Sequence, residues 1–303
     1  MDDKTSNAVS AAAAFGAGWA SYKYLPGIVG RPFGRWVYSE LKELPKSENL
    51  RYWNASLKAY QTSGLQKKGV ELLDINPTNL EGVTKDTFTK MDKNETNIFA
   101  INTKNKNQKP KPKKPRPKWK YILFGPSSED KLKSTLKYIS EGQNACYHTV
   151  SKNIFVNKEK MGFSAFHEMG HAINANSSML RKGLQSGRIA AMLSIPVMLI
   201  AAMLQKRVPE SQFEPKSEQR KKNFFKDNIG LITFGLMLPT LAEEGLASIN
   251  GAAMAKKVLN SNDLKKLNKT NAKTWSTYVV GAVLASAFAQ FAVKTKDKLV
   301  ENR

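Results

Sequence analysis

Cysteine, histidine, acidic residues and long apolar runs are all scarce in this 303-residue chain, and each scarcity excludes something. Cys146 is the only cysteine, so the chain can form no internal disulfide and no metal site built from thiolates alone. The single thiol suits a reducing compartment. Histidine occurs three times, as His148, His167 and His171, which confines any imidazole chemistry to those positions. Asp and Glu number 25 against 48 Lys and Arg, a formal charge of +23, so the chain is drawn to a polyanion: nucleic acid or an anionic membrane surface. The strongest apolar runs, at 189–204, 229–242 and 278–293, are each sixteen residues or fewer. A confident spanning helix needs about 18 to 20.

What is present divides the chain into four parts. Residues 1–30 hold an Ala- and Gly-rich stretch without the basic start of a secretory signal. It reads either as an uncleaved membrane-contacting helix or as a small-residue helix packed on others. Residues 31–100 are mixed and mostly helical, with Leu50, Trp53, Leu57 and Tyr60 at helical spacing as a core-facing stripe. Residues 101–120 contain no acidic residue and carry the Lys/Pro run at 109–118, a solvated linker that could also hold anionic lipid headgroups. From residue 121 onward come a helix near 127–139, an extended segment at 145–156 rich in Tyr, Val, Ile and Phe, and the three apolar runs.

The abrupt charged flanks of those runs favour membrane-spanning helices, 189–242 forming a hairpin and 278–293 a C-terminal helix. The alternatives are buried helices of a soluble core, or a hairpin that only dips into the bilayer. Arg188 has the length to snorkel, and Trp275 with Tyr278 stands where an interfacial anchor is useful. Zinc-finger spacing and aromatic-interleaved basic strands are absent, so nucleic acid is not an expected partner. The expected fold is mainly α, with a small β element beside the helix that carries the site.

That helix contains His167-Glu168-Met169-Gly170-His171, an HExxH pattern. Residues four apart share a helix face, so both imidazoles can bind one zinc ion per chain, and Glu168 falls beside the metal without ligating it. A carboxylate there can take a proton from a water that the metal has acidified and pass it to a leaving amine. Two of the three histidines lie in this motif, which argues against a chance match. Tetrahedral catalytic zinc needs a third protein ligand, but Ile173 and Ser177 stand where the extended metzincin pattern has glycine and histidine.

A downstream carboxylate therefore fits best. Glu244 shares a helical face with Ala247, Ser248, Gly251 and Ala255, small residues that let helices approach closely, whereas Glu243 points with Leu246 and Asn250. Glu244 is the preferred ligand and Glu243 an auxiliary candidate. His148 is a second auxiliary candidate near a substrate carbonyl, or else a solvent-facing strand residue. With Cys146 it offers too few ligands for another metal site.

From about residue 144 to 256 the chain resembles the membrane zinc peptidases that include the bacterial heat-shock membrane protease and the eukaryotic CAAX prenyl protease. The resemblance rests on HEMGH at 167–171, the apolar hairpin, and Glu244-Gly245-Leu246-Ala247-Ser248, similar to the family's ExxAD. It implies a multi-helix membrane-associated zincin with His167, His171 and Glu244 as zinc ligands and Glu168 as general base. Ser248 stands where the family usually has aspartate, which bears on the contact that would orient a ligand histidine. Another bacterial membrane zinc-protease family with an HExGHA motif fits equally, and residues 1–120 carry no resemblance.

The expected activity is endoproteolysis of membrane or membrane-proximal proteins, with membrane lipids as further partners. The opposing expectation is a non-catalytic membrane adaptor binding anionic lipid or nucleic acid through its basic linker. Lys and Arg nearly balance across the hairpin, so the positive-inside rule does not decide orientation. The polybasic linker, suited to the anionic cytoplasmic leaflet, favours a cytoplasm-facing site. In a Cys146-free background, a cysteine at Lys113 should resist a membrane-impermeant label in intact cells while one at Ser211 reacts. The reverse pattern inverts the orientation, and equal reactivity removes the spanning hairpin.

Overall fold

A computed structural model describes residues 44–99, 128–205 and 215–301. The expected N-terminal helix and the Lys/Pro-rich linker lie outside them. The described residues are 78% helical with one three-stranded sheet. The described residues fall into two compact units, those within Lys42–Asn176 and Ala247–Leu267, and those within Ser177–Leu246 and Asn268–Arg303.

The first unit opens with α1 (Lys46–Thr62), started after Pro45, whose ring presets a helix-compatible φ, and with Glu48 complementing the first-turn dipole. It buries Asn49, Tyr52, Trp53, Ser56, Ala59 and Tyr60. Trp53 and Tyr60 of the expected stripe are thus inside, whereas Leu50 and Leu57 sit at its margin. Burial against Asp263 and Glu48 pushes the Tyr52 phenol up to about 12. Arg51 pairs with Asp263 at 2.8 Å and Lys266 with Glu48 at 2.6 Å, tying α1 to the 247–267 segment. Gly69, at φ 75°, closes a 3₁₀ turn and turns the chain into β1 (Glu71–Asp74).

The sheet has the order β1-β3-β2, where β2 is Cys146–His148 and β3 is Asn153–Val156. β1 runs parallel to β3, with Glu71 opposite Asn153 and Asp74 opposite Val156. β2 runs antiparallel to β3, with Cys146 opposite Phe155 and His148 opposite Asn153. The extended segment expected at 145–156 is therefore a hairpin, broken by a turn in which Lys152 takes φ 56°. All four residues of β3 are buried, Ile154, Phe155 and Val156 giving this central strand its apolar character. Helices α2 (Leu80–Phe99) and α3 (Ser128–Ser140) cover the sheet, and Leu132, Leu136 and Ile139 close a core with Ile75 and Phe155.

After β3, Asn157 caps α4 (Lys158–Met161), its side chain accepting from the amides of Glu159 and Lys160. A 3₁₀ turn at Gly162–Ser164 then launches α5 (Ala165–Ala175). A Cβ at Gly162 would lie 2.1 Å from the Asn49 carbonyl oxygen, so only glycine lets the chain pass α1 there.

The second unit is built on α6 (Met179–Leu204), α7 (Lys216–Asp227), the first part of α8 (Ile229–Ala255) and most of α9 (Ser261–Glu301). The apolar runs of sixteen residues or fewer lie inside much longer helices, because their polar flanks stay helical. Three segments, Arg181–Leu204, Ile229–Ala255 and Ser261–Lys298, are long and apolar enough to cross a membrane. Only 29%, 39% and 28% of their apolar windows are buried, so most of this surface faces outward, consistent with membrane association. Ile189, Leu193 and Val197 form such an outward face at four-residue spacing.

Inside the second unit, Leu199, Ala202 and Met203 pack on Ile229 and on Ala289, Ala292 and Val293. Lys226, fully buried, pairs with Asp297 and donates to the Gln205 carbonyl at 2.9 Å. Trp275 donates its indole N–H to the Leu241 carbonyl at 2.9 Å, so it fastens α9 to α8 as well as presenting a partly exposed ring.

Candidate metal centre

The sequence of α5 sorts itself by helical period. Ala165, Phe166, Met169, Gly170 and Ala172 turn into the first unit, and His167 and His171, one turn apart, occupy a half-buried face. Their Nε2 atoms are 3.0 Å apart and their ring planes nearly perpendicular, at 89°. Two imidazoles on one tetrahedral zinc would hold these atoms about 3.3 Å apart, so the pair needs only a small opening to share an ion. Glu168 is buried, and its ligand atom and those of both histidines all lie within 4.8 Å of one another. Its Oε2 accepts the Tyr147 main-chain N–H at 2.7 Å, a charge-assisted bond joining the carboxylate to β2.

The end of α8 packs on α5 in direct backbone contact. A Cβ on Gly170 would stand 1.9 Å from the Ala247 carbonyl oxygen, and one on Gly251 would stand 2.3 Å from that of Phe166. The small-residue face of α8 thus lies against α5, as the pattern Ala247, Ser248, Gly251 leads one to expect. This contact brings Ser248 Oγ to 3.2 Å from His167 Nδ1. Two turns further along α5, Asn250 donates to the buried Asn174 at 2.7 Å and fixes the register of the two helices.

Glu243 and Glu244 are both buried in α8, within the second unit. Arg188 of α6 reaches Glu244 Oε1 at 2.7 Å and Glu243 Oε2 at 3.2 Å, and Gln185 donates to Glu243 at 3.2 Å. Arg188, its side chain 35% exposed, thus carries its guanidinium to two buried carboxylates.

The structure gives His148 a local role. Its Nδ1 accepts the Ser151 main-chain N–H at 3.2 Å and lies 2.9 Å from Ser151 Oγ, which ties the imidazole to its own hairpin. Burial lowers its pKa, and the amide donor requires an unprotonated Nδ1, so both effects favour the neutral ring. The Cys146 thiol is pushed up, first by burial and then by the charge of Glu168, which keeps it protonated and inert. Among the described residues, no group of three or more metal-capable side chains includes Cys146 or His148.

Two contacts escaped the sequence reading. The donor to Glu168 is a main-chain group and leaves no residue signature. The hydroxyl at Ser248 was visible only as a departure from aspartate. No family model, curated protein or solved structure matches the chain.

The glycine contact generates a stability prediction. Gly170→Ala should lower the stability of the purified protein by about 1–3 kcal/mol, the usual range for overpacking, despite alanine's better helix propensity. Gly235→Ala, where nothing lies within 4 Å of the new Cβ, should leave stability unchanged or slightly raised. Thermal unfolding in detergent reads both, and equal melting temperatures would show that α5 and α8 separate without cost.

Proposed function

We propose that this protein is a zinc-dependent membrane endopeptidase that hydrolyses peptide bonds of membrane or membrane-proximal proteins. The observation that carries the reading is the convergence of His167 Nε2 and His171 Nε2, 3.0 Å apart, with the buried Glu168 carboxylate beside them. The donor set, two imidazoles with carboxylates as the remaining candidates, is one that zinc accepts.

Glu244 is the third ligand in this reading. It lies four residues before Ser248 and seven before Gly251 on one continuous helix, so it stands on the same side of α8 as those two residues. Glu243 is about 100° away around the helix. A buried carboxylate on an apolar helix also demands a cationic partner, which the metal would join Arg188 in supplying.

Bound zinc supplies a Lewis acid that acidifies water and polarises the scissile carbonyl. The chain's own groups do the rest. Glu168 takes the proton of the attacking water and delivers it to the leaving amine. The Tyr147 N–H holds one carboxylate oxygen and leaves the other to accept that proton. β2 is an edge strand, so an extended peptide can add to it by main-chain hydrogen bonds beside the base. The apolar outer faces of α6, α8 and α9 would keep this chemistry at the bilayer, and the cytoplasmic side remains the proposed orientation. The likeness of HEMGH and Glu244-Gly245-Leu246-Ala247-Ser248 to the heat-shock membrane protease and CAAX prenyl protease group supports the same reading.

Glu168→Gln should keep stoichiometric zinc and lose proteolysis by about 10²–10⁴-fold, because the amide preserves shape and cannot take the proton. Metal analysis together with cleavage of an unfolded membrane-protein substrate measures this, and undiminished cleavage removes Glu168 from the role of base. Glu244→Ala should weaken zinc binding far more than Glu243→Ala in competition with a chromophoric chelator. The opposite order assigns the ligand to Glu243. Absence of zinc from the wild-type protein would favour the adaptor function.

A further inference from the structure

The contact between Ser248 and His167 carries a consequence for how the metal centre is prepared. Each neutral imidazole has one N–H and one lone pair, and a metal can take only the nitrogen with the lone pair. The two Nε2 atoms at 3.0 Å can share a single proton, so one ring donates and the other accepts. Two arrangements satisfy this. In one, His167 carries its proton on Nδ1, gives it to Ser248 Oγ at 3.2 Å, and presents a lone pair at Nε2, with His171 as the donor between the rings. In the other, the serine hydroxyl donates to Nδ1 and His167 becomes the Nε2–H ring, closed to a metal on the side that faces His171.

We propose that Ser248 is a positioning residue for His167, accepting a hydrogen bond from Nδ1–H and so holding Nε2 as the open donor. The inference rests on the zinc reading for its purpose, though the tautomer exists or fails independently of any metal. The position of the serine follows from the fold. Backbone contact at Gly170 and Gly251 leaves so little space between α5 and α8 that a one-carbon side chain already spans the gap to the ring. The neighbouring Asn250–Asn174 bond prevents the helices from sliding, which keeps the hydroxyl on Nδ1.

A neutral hydroxyl polarises the imidazole less than a carboxylate would. His167 is thereby oriented without gaining the extra basicity of a carboxylate-backed ligand, and the site holds its ion less tightly than one with aspartate at this position.

With only three histidines in the chain, nitrogen-15 NMR of histidine-labelled protein in detergent reads each ring's tautomer without a metal present. His167 is expected as the Nδ1–H form in the metal-free wild type. Ser248→Ala should abolish that preference and weaken zinc binding by about 10–100-fold, the usual effect of removing a hydrogen-bond partner from a ligand histidine. His167 found as Nε2–H in the wild type, or a tautomer and zinc affinity both unchanged in Ser248→Ala, overturns the assignment. If the wild type shows the Nδ1–H ring but takes up no zinc, and Ser248→Ala loses that preference, the Ser248 assignment stands and the peptidase reading falls.

Discussion

Two glycines, Gly170 on α5 and Gly251 on α8, leave carbonyl oxygens of the facing helix where any other residue would place a Cβ. This backbone contact governs the centre. It brings Ser248 onto His167 and aligns Asn250 with Asn174. Dispersion between closely packed backbones is weak per atom pair and large in sum, and it is lost quickly as the helices separate. A side chain in the seam therefore acts on position as well as on stability.

Much of this was legible from residue types alone. HExxH on a helix of period 3.6 places two imidazoles on one face, and the structure brings their Nε2 atoms together. Small residues at 247, 248 and 251 announced a close helix contact, which occurs there. The extended reading at 145–156 found the strands but not the turn between them, because the turn uses Lys152 at positive φ, which residue type does not advertise. The apolar helices were underestimated in length, since hydropathy stops at the first polar residue and helical hydrogen bonding does not. The ion partners of Arg188 left no local signal, since Glu243 and Glu244 are more than fifty residues away in sequence.

The second unit shows how an apolar bundle accommodates ionic groups. Lys226 and Asp297 pair where both are almost wholly buried, and Arg188 lies against two buried carboxylates. Desolvating such charges costs several kcal/mol per ion, recovered only in good geometry. These pairs tie α7 to α9 and α6 to α8 at fixed points.

The bond between Glu168 and β2 differs in character from the Ser248–His167 contact, because its donor is the amide of residue 147 and not a side chain. Any residue except proline supplies the same N–H. A substitution at position 147 by any residue but proline therefore leaves the donor of this bond in place. The tyrosine itself, whose hydroxyl accepts from Asn176, can thus be replaced without removing the donor that holds the Glu168 carboxylate.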